Sequence, residues 1–292
     1  MYLLEYLRNS PVAFLIFMTI LGLMVGSFLN VVIHRLPKML ENDWRQQCRT
    51  LLNIETPATT AAETYNLIQP RSRCPQCNHQ ITALENIPVL SYLLLGGKCS
   101  VCESPIALRY PVIELTSGFL AMFCAWHFGF GYQACCATLL SWSLLTLSTI
   151  DLDHQLLPDD ITFPLLWLGI LFNMTGMFTD IRSSLLGTMA GYTVLWSVYQ
   201  TFKLLTGKEG MGYGDFKLLA MLGAWLGWQM LPLIILLSSV AGALIGISLI
   251  VFKQHDRNKP IPFGPYLALA GWVALIWGHD INSFYVSWST AH

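Results

Sequence analysis

Two aspartates at the edges of long uncharged runs could form a catalytic pair. Asp215 ends the Gly-x-Gly-Asp sequence 212–215, whose glycines are expected to permit an unusual backbone, and it precedes the uncharged residues 218–252. Asp151 directly follows the uncharged residues 132–150. A carboxylate at a membrane edge is costly unless it is paired, hydrated or protonated, and usually has a function. Two carboxylates that share a water can hydrolyse a peptide bond, one as the base and the other as the proton donor.

Other interpretations of these acids stay open. Asp215 could instead cap a helix that begins near Phe216. Asp153 is interpreted as structural, and Asp159 or Asp160 is expected to cap the next long helix. The sequence therefore predicts Asp151 and Asp215 as catalytic, and the acids around them as structural.

A further acid, Glu114, interrupts the apolar run 110–128. A charge inside such a run needs a partner, and Arg109 or Lys217 could provide one. Arg109 and Lys217 are therefore candidate partners for Glu114.

Four cysteines form a second constellation. They stand in two C-x2-C pairs separated by 21 residues: Cys74, Cys77, Cys99 and Cys102. This spacing is typical of structural zinc sites with four thiolate ligands. The binding energy of Zn²⁺ can fold a segment that is too small to build a core. Disulfides are the alternative, and they are disfavoured if the segment faces a reducing cytoplasm.

Long apolar helices are needed to position the aspartate pair and the cysteines. The chain is 54% hydrophobic and 11% charged, which excludes an ordinary soluble domain. Six runs can cross roughly 30 Å of hydrocarbon: residues 12–33, 110–128, 132–150, 161–179, 183–202 and 261–278. A seventh, residues 218–252, would span roughly 52 Å as one helix. It is expected to break near Gly227 and Pro232 into two. The predicted fold is an all-α polytopic membrane protein with about eight transmembrane helices.

Basic residues predict the orientation of these helices. With the amino terminus outside, the cytoplasmic segments are residues 34–109, 151–160, 203–217 and 253–260. These segments contain every Lys and Arg except Arg8 and Arg182. Because basic loops stay in the cytoplasm, both aspartates are expected at the cytoplasmic edge of the membrane.

Three regions follow from this topology. Residues 1–33 carry the first transmembrane segment, residues 34–109 form a cytoplasmic insert with the four-cysteine zinc site, and residues 110–292 hold the peptidase helices. Acidic residues dilute the basic ones throughout the insert. No basic stripe emerges, so nucleic acid is not expected as a partner, whereas membrane lipid is.

An ordered series of motifs resembles that of the prepilin peptidases, also called type IV prepilin leader peptidases, over nearly the whole chain. The matching segments are GSFLNVVIHRLP at 26–37, RCPxC at 73–77, ENIP at 85–88, GKCxxC at 97–102, DxDHxLxPD at 151–159 and GMGYGDFK at 210–217. A lone Gly-x-Gly-Asp would be weak, whereas this series is specific.

The resemblance implies a membrane aspartic protease of the Gly-x-Gly-Asp type, with Asp151 and Asp215 as its pair. It implies removal of a short basic leader from prepilins and pseudopilins on the cytoplasmic side of the bacterial inner membrane. It also implies methylation of the new amino terminus by S-adenosyl-L-methionine, with Glu85, Asn86 and Gly97 as candidate cofactor residues.

The other interpretation of Glu85, Asn86 and Gly97 is a polar turn beside the zinc. Two alternative functions are a leader peptidase without methylation and a non-enzymatic transporter or scaffold with a zinc-ribbon loop. A transporter would predict paired halves with broken helices at the midplane, and these are not evident in the sequence.

Overall fold

The computed structural model describes residues 2–54, 65–253 and 262–290, which are mostly helical and form no strand. The helices are α1 (Tyr2–Asn9), α2 (Pro11–Leu51), α3 (Leu90–Leu94), α4 (Arg109–Phe128), α5 (Tyr132–His154), α6 (Asp159–Asn173), α7 (Ile181–Thr206), α8 (Tyr213–Leu226), α9 (Leu231–Lys253) and α10 (Gly264–Thr290). The prediction of an all-α protein is confirmed.

Each run predicted to cross the membrane corresponds to a long helix. Four segments within the described residues are long and apolar enough to do so by length and composition: Pro11–Leu51, Arg109–Phe128, Tyr132–His154 and Trp228–Ser248. The count of eight spans stays a prediction. The expected break is present, because α8 ends at Leu226 and Gly227, with φ +83°, leads into a short 3₁₀ turn before α9.

Two helices differ in length from the runs predicted for them. α2 continues far beyond residue 33, to Leu51, so the start of the polar insert is an extension of the first apolar helix. α6 ends at Asn173 instead of continuing through the run to residue 179. The reason is the Asn173 side chain, whose Oδ1 accepts hydrogen bonds from the backbone N–H groups of Phe178 (3.0 Å) and Thr179 (3.1 Å).

The chain divides into two compact units, an amino-terminal unit (Met1–Trp142) and a carboxy-terminal unit (Ser143–His292). In the amino-terminal unit, α2 packs closely along α4. The Ser117 hydroxyl of α4 donates to the Gly22 carbonyl of α2 at 2.6 Å. A Cβ at Gly26 would lie 2.7 Å from Glu114 Cα, so only glycine permits this approach. This contact holds Glu114 against α2.

In the carboxy-terminal unit, α8 is the central helix and is buried from Asp215 to Leu226, apart from the half-buried Lys217. A Cβ at Gly223 would lie 2.2 Å from the Gly187 carbonyl oxygen, which shows how closely α7 approaches α8. On the α6 side, Trp225 Nε1 donates to the Leu165 carbonyl at 2.8 Å. The helix that carries Asp215 is therefore fixed from several directions.

The predicted capping of α6 is wrong. Pro158 is its N-cap residue and makes no side-chain capping bond, whereas Asp159 and Asp160 are its first two helical residues. Lys217 Nζ donates to both carboxylate oxygens of Asp159, at 2.7 and 2.8 Å. Asp159 therefore fastens the start of α6 to α8 instead of capping a helix.

Candidate functional site

The two predicted catalytic aspartates lie together in the carboxy-terminal unit. Asp151 is in the last turn of α5 and Asp215 in the first turn of α8, and each is only 6% exposed. Their carboxylates interact electrostatically. The Leu157 side chain packs against Gly214, which precedes Asp215, and against Gly264, which contacts Asp151. A Cβ added at Gly214 would lie 2.8 Å from Leu157 Cβ, and one added at Gly264 would lie 3.3 Å from Leu157 Cδ1. One buried place thus holds both acids.

Gly264, which the sequence analysis missed, contacts one of them. It is the first residue of α10, and its backbone N–H donates to Asp151 Oδ2 at 3.0 Å. A Cβ at this position would lie 2.5 Å from the same oxygen. The N-terminus of a helix favours negative charge. Pro265 in the first turn is a sequence signal for a helix start, but nothing local connects that start with Asp151.

The glycines before Asp215 have a different role from the one predicted. Gly212 has φ −78° and ψ 148°, an extended conformation open to any residue, and Gly214 lies within α8. Space is the constraint at Gly214, since Leu157 leaves no room for a Cβ there. The expected unusual backbone is absent from this stretch of the described chain.

The four predicted metal ligands form a compact cluster in the amino-terminal unit. All four Sγ atoms lie within 4.8 Å of one another, and all four cysteines are free thiols. Cys74 Sγ is 3.7 Å from Cys102 Sγ, and Cys77 Sγ is 3.9 Å from Cys99 Sγ. A tetrahedral ion with Zn–S bonds of about 2.3 Å requires sulfurs about 3.8 Å apart. The cluster can therefore hold a metal ion.

Two similar turns present these cysteines. Cys74 N–H donates to the His79 carbonyl at 2.8 Å, and Cys99 N–H donates to the Ser104 carbonyl at 2.9 Å. The residue that follows the second cysteine of each pair has a positive φ: +57° at Asn78 and +56° at Glu103. The two C-x2-C pairs thus share a backbone hydrogen bond and a positive φ at the same position.

Glu85 links the two turns. Its carboxylate accepts hydrogen bonds from the Ser100 hydroxyl, from the backbone N–H of Thr82 (2.8 Å) and its hydroxyl (2.9 Å), and contacts His79 Nε2 at 3.3 Å. The Ser100 bond and then those from Thr82 lower the pKa of Glu85 to about 2. Glu85 therefore braces the cysteine cluster as an ionised group.

A cavity of about 650 Å³ lies beside the cluster, between α2, the insert and the start of α4. Glu85 and Asn86 line it, and Asn86 Oδ1 accepts a hydrogen bond from the Ser27 hydroxyl at 3.2 Å. Gly97 does not line it. With φ +72°, Gly97 packs behind Tyr92, a lining residue, and a Cβ there would lie 2.8 Å from Tyr92 Oη. The structure thus brings Glu85 and Asn86 to one cavity, and Gly97 supports its wall.

Glu114 lines the same cavity and is only 9% exposed. Its Oε2 accepts a hydrogen bond from the backbone N–H of Val89 at 2.8 Å. Val89 N–H, and not the candidate Arg109, is the partner at this oxygen, and Lys217 pairs with Asp159. The sequence indicates that Glu114 needs a partner, but no local pattern places it in the same cavity as Glu85.

The chain matches two family models. Residues 20–128 match the bacterial peptidase A24 N-terminal domain, and residues 138–247 match the type IV leader peptidase family. The first match contains the cysteine cluster and the cavity, and the second contains both aspartates. No solved structure matches the chain.

Similar proteins named prepilin leader peptidase/N-methyltransferase match over nearly their whole length. One from Stutzerimonas stutzeri is 56% identical, over 98% of each chain. One from Pseudomonas aeruginosa is 55% identical, over 99% of each chain. A more distant one from Legionella pneumophila is 42% identical, over 96% of this chain and 97% of its own.

Proposed function

We propose a function from the premise that this chain belongs to the type IV leader peptidase family. It removes the leader peptide from prepilins and then methylates the new amino terminus. One observation carries this proposal: relatives matched from end to end at up to 56% identity bear a name that joins both activities. The predicted substrates include pseudopilins, whose basic leader stays in the cytoplasm while the apolar helix that follows lies in the membrane.

Asp151 and Asp215 are the proposed catalytic pair of the peptidase. The ionised carboxylate takes a proton from water as the water attacks the scissile carbonyl, and the protonated one polarises that carbonyl. The hydrogen bond from the Gly264 N–H stabilises negative charge on Asp151. This supports Asp151 as the base and Asp215 as the proton carrier.

The methyltransferase is proposed to reside in the insert, residues 34–109, and the peptidase in the helices of residues 110–292. S-adenosylmethionine supplies the methyl group when bound. Glu85 and Asn86 line the cavity beside the cysteine cluster, and Gly97 supports it through Tyr92. Zn²⁺ is the proposed occupant of the cluster, since the sulfur spacing fits a tetrahedral thiolate site. Its role is structural, because four protein ligands leave no open position.

The proposed location is the bacterial inner membrane, with lipid around the helices and both sites facing the cytoplasm. The distribution of Lys and Arg supports this orientation, and no nucleic acid is expected to bind. In a background with Cys48 and Cys135 replaced by serine, a thiol reagent whose site is read by peptide mass mapping should label Asp43→Cys only from the cytoplasm and Asp180→Cys only from outside. The reverse labelling would contradict the orientation.

The decisive assay incubates the purified protein in detergent with a prepilin, with and without S-adenosylmethionine. Mass spectrometry then follows leader loss and the mass of the new amino terminus. Leader loss is expected in both samples, and the added mass of one methyl group only in the sample with the cofactor. Leader loss without methylation would show that the protein is a peptidase without methyltransferase activity. An intact leader in both samples would overturn the proposal.

A further inference from the structure

We propose that the cavity lined by Glu85 and Asn86 is the S-adenosylmethionine pocket, and that Glu114 is the counter-charge for the sulfonium of the cofactor. This inference rests on the proposed methyltransferase function and assigns its binding site. Glu114 lies on α4, outside the insert from which the sequence analysis drew its cofactor residues.

The size and surroundings of the cavity suit such a ligand. A volume of about 650 Å³ falls within the roughly 300–1,000 Å³ typical of cofactor pockets. Its walls come from α2, the insert and α4. A bound ligand would therefore contact both helices as well as the insert, whereas the metal cluster lies within the insert. All of these elements belong to the amino-terminal unit.

The charge of Glu114 is the strongest indication of a cationic ligand. A carboxylate this deeply buried is costly unless a positive charge or several donors accompany it. Among the described residues, Glu114 forms no ion pair with Lys or Arg, and Val89 N–H donates to one of its oxygens. The Ser27 hydroxyl also interacts with this carboxylate. A partner with positive charge is therefore missing on the side of the cavity.

Glu85 is a poor candidate for the same task, although it lines the cavity. Ser100 and Thr82 already donate to its carboxylate, and it also contacts His79 Nε2. These bonds hold it to the two cysteine turns. Of the two carboxylates at the cavity, Glu114 has the greater remaining capacity to accept a charged ligand.

Other lining residues match the remaining parts of the cofactor. Tyr92 and Tyr110 offer aromatic faces on which an adenine can stack. Asn30 of α2 holds the Tyr110 backbone, because its Nδ2 donates to the Tyr110 carbonyl at 3.1 Å. Arg71 and Arg73 lie on the insert side, where a guanidinium can bind the carboxylate of the methionine moiety. The lining thus offers a carboxylate for the sulfonium and guanidinium groups for the carboxylate of the methionine moiety.

The test measures binding directly, with the full chain in detergent. Equilibrium dialysis with tritiated S-adenosylmethionine gives its Kd, and competition gives the Kd of S-adenosylhomocysteine, which lacks the methyl group and has a neutral sulfur. In Glu114→Gln, the Kd for S-adenosylmethionine should rise at least about tenfold, the loss expected for one buried charge-assisted contact. The Kd for S-adenosylhomocysteine should stay near the unmodified value. Glu41→Gln is the matched control, since Glu41 is exposed on α2 and pairs with Arg45 at the surface.

An unchanged Kd in Glu114→Gln, or an equal rise for both ligands, would overturn the assignment of the charge. Metal content and leader cleavage report whether the variant is folded. If it is not, ultraviolet crosslinking of tritiated S-adenosylmethionine to the unmodified protein decides the question. The label should lie in peptides that contain residues 27–35 of α2 or residues 65–114, and a label elsewhere would overturn the pocket. An unmodified protein that binds no S-adenosylmethionine would instead refute the methyltransferase function itself.

Discussion

The cysteine cluster and the aspartate pair are held in place by opposite means. The cysteines stand on short turns of the insert, and Cys77, Cys99 and Cys102 are all partly accessible. The aspartates are almost completely buried at the ends of helices, and the helix that carries Asp215 is the centre of its unit. We therefore expect a bound metal ion to order the cluster, and helix packing to order the aspartates. Perturbing one region should leave the other largely intact.

The largest effect is expected from the aspartates. Asp151→Asn or Asp215→Asn should slow leader cleavage at least about 10²-fold, because each removes a group that transfers or holds a proton. Asp153→Asn and Asp160→Asn are the controls and should leave substantial cleavage. If the two regions are independent, Asp215→Asn should still bind metal and methylate a pilin that has already been cleaved. Full cleavage by Asp151→Asn would refute the pair.

Loss of one cysteine of the cluster should act on the insert alone. In Cys99→Ser the metal content, measured by elemental analysis, should fall from one zinc per chain to nearly none, because three thiolates hold Zn²⁺ far more weakly. Limited proteolysis of the insert should accelerate, and methylation should fall more than cleavage. Cys48→Ser, which changes an exposed thiol outside the cluster, should change none of these. Metal retained in Cys99→Ser would contradict the ligand set.

Gly264 tests how tightly packing holds the aspartates. Gly264→Ala places a methyl group 2.5 Å from Asp151 Oδ2 and must displace that carboxylate. Cleavage should slow at least about tenfold, since small displacements of a catalytic group are costly. Gly242→Ala, whose new Cβ would have no neighbour closer than 3.4 Å, is the control within the same unit. Equal rates for the two variants would show that Asp151 does not need its contact with α10.

Adjacent glycines of the insert provide a matched pair. Gly96 and Gly97 both have positive φ, so an alanine at either costs about 1 kcal/mol of backbone strain. Only the alanine at 97 would press on Tyr92, whereas nothing lies within 4 Å of a Cβ at 96. Gly97→Ala should therefore lower methylation several-fold relative to Gly96→Ala, with cleavage similar in both. Similar methylation would remove the support that Gly97 is proposed to give the cavity.

The smallest effect concerns a helix end distant in sequence from both sites. Asp180 caps α7 by accepting from the Ser183 N–H at 2.9 Å, and its bonds with Ser183 lower the pKa of its carboxyl. Asp180→Ala should slightly lower the temperature of thermal unfolding, because the capping hydrogen bond is lost. Because the pKa is lowered on folding, this stabilisation is complete above the usual value of about 3.9 and is lost as the pH falls below it. Asp180→Asn should retain most of the cap without that pH dependence.

The sequence alone determined the features that depend on neighbouring residues. Uncharged runs predicted the long helices, and Gly227 with Pro232 predicted the break between α8 and α9, because length, apolar character and backbone freedom act locally. The spacing of Cys74, Cys77, Cys99 and Cys102 predicted one cluster, since each pair lies within a single turn. The two aspartates were recognised because a carboxylate at the end of an apolar run is costly wherever the chain folds.

Only the tertiary structure decided which distant groups meet. Asp151 contacts the first residue of α10, 113 residues later in the chain, and Lys217 pairs with Asp159, 58 residues earlier. The cavity that joins Glu114 to Glu85 also requires α2 and α4 to pack through Gly22 and Gly26. Such contacts depend on how whole helices pack against one another. That packing is set by side-chain volumes and by distances between segments far apart in the chain, which no local sequence pattern specifies.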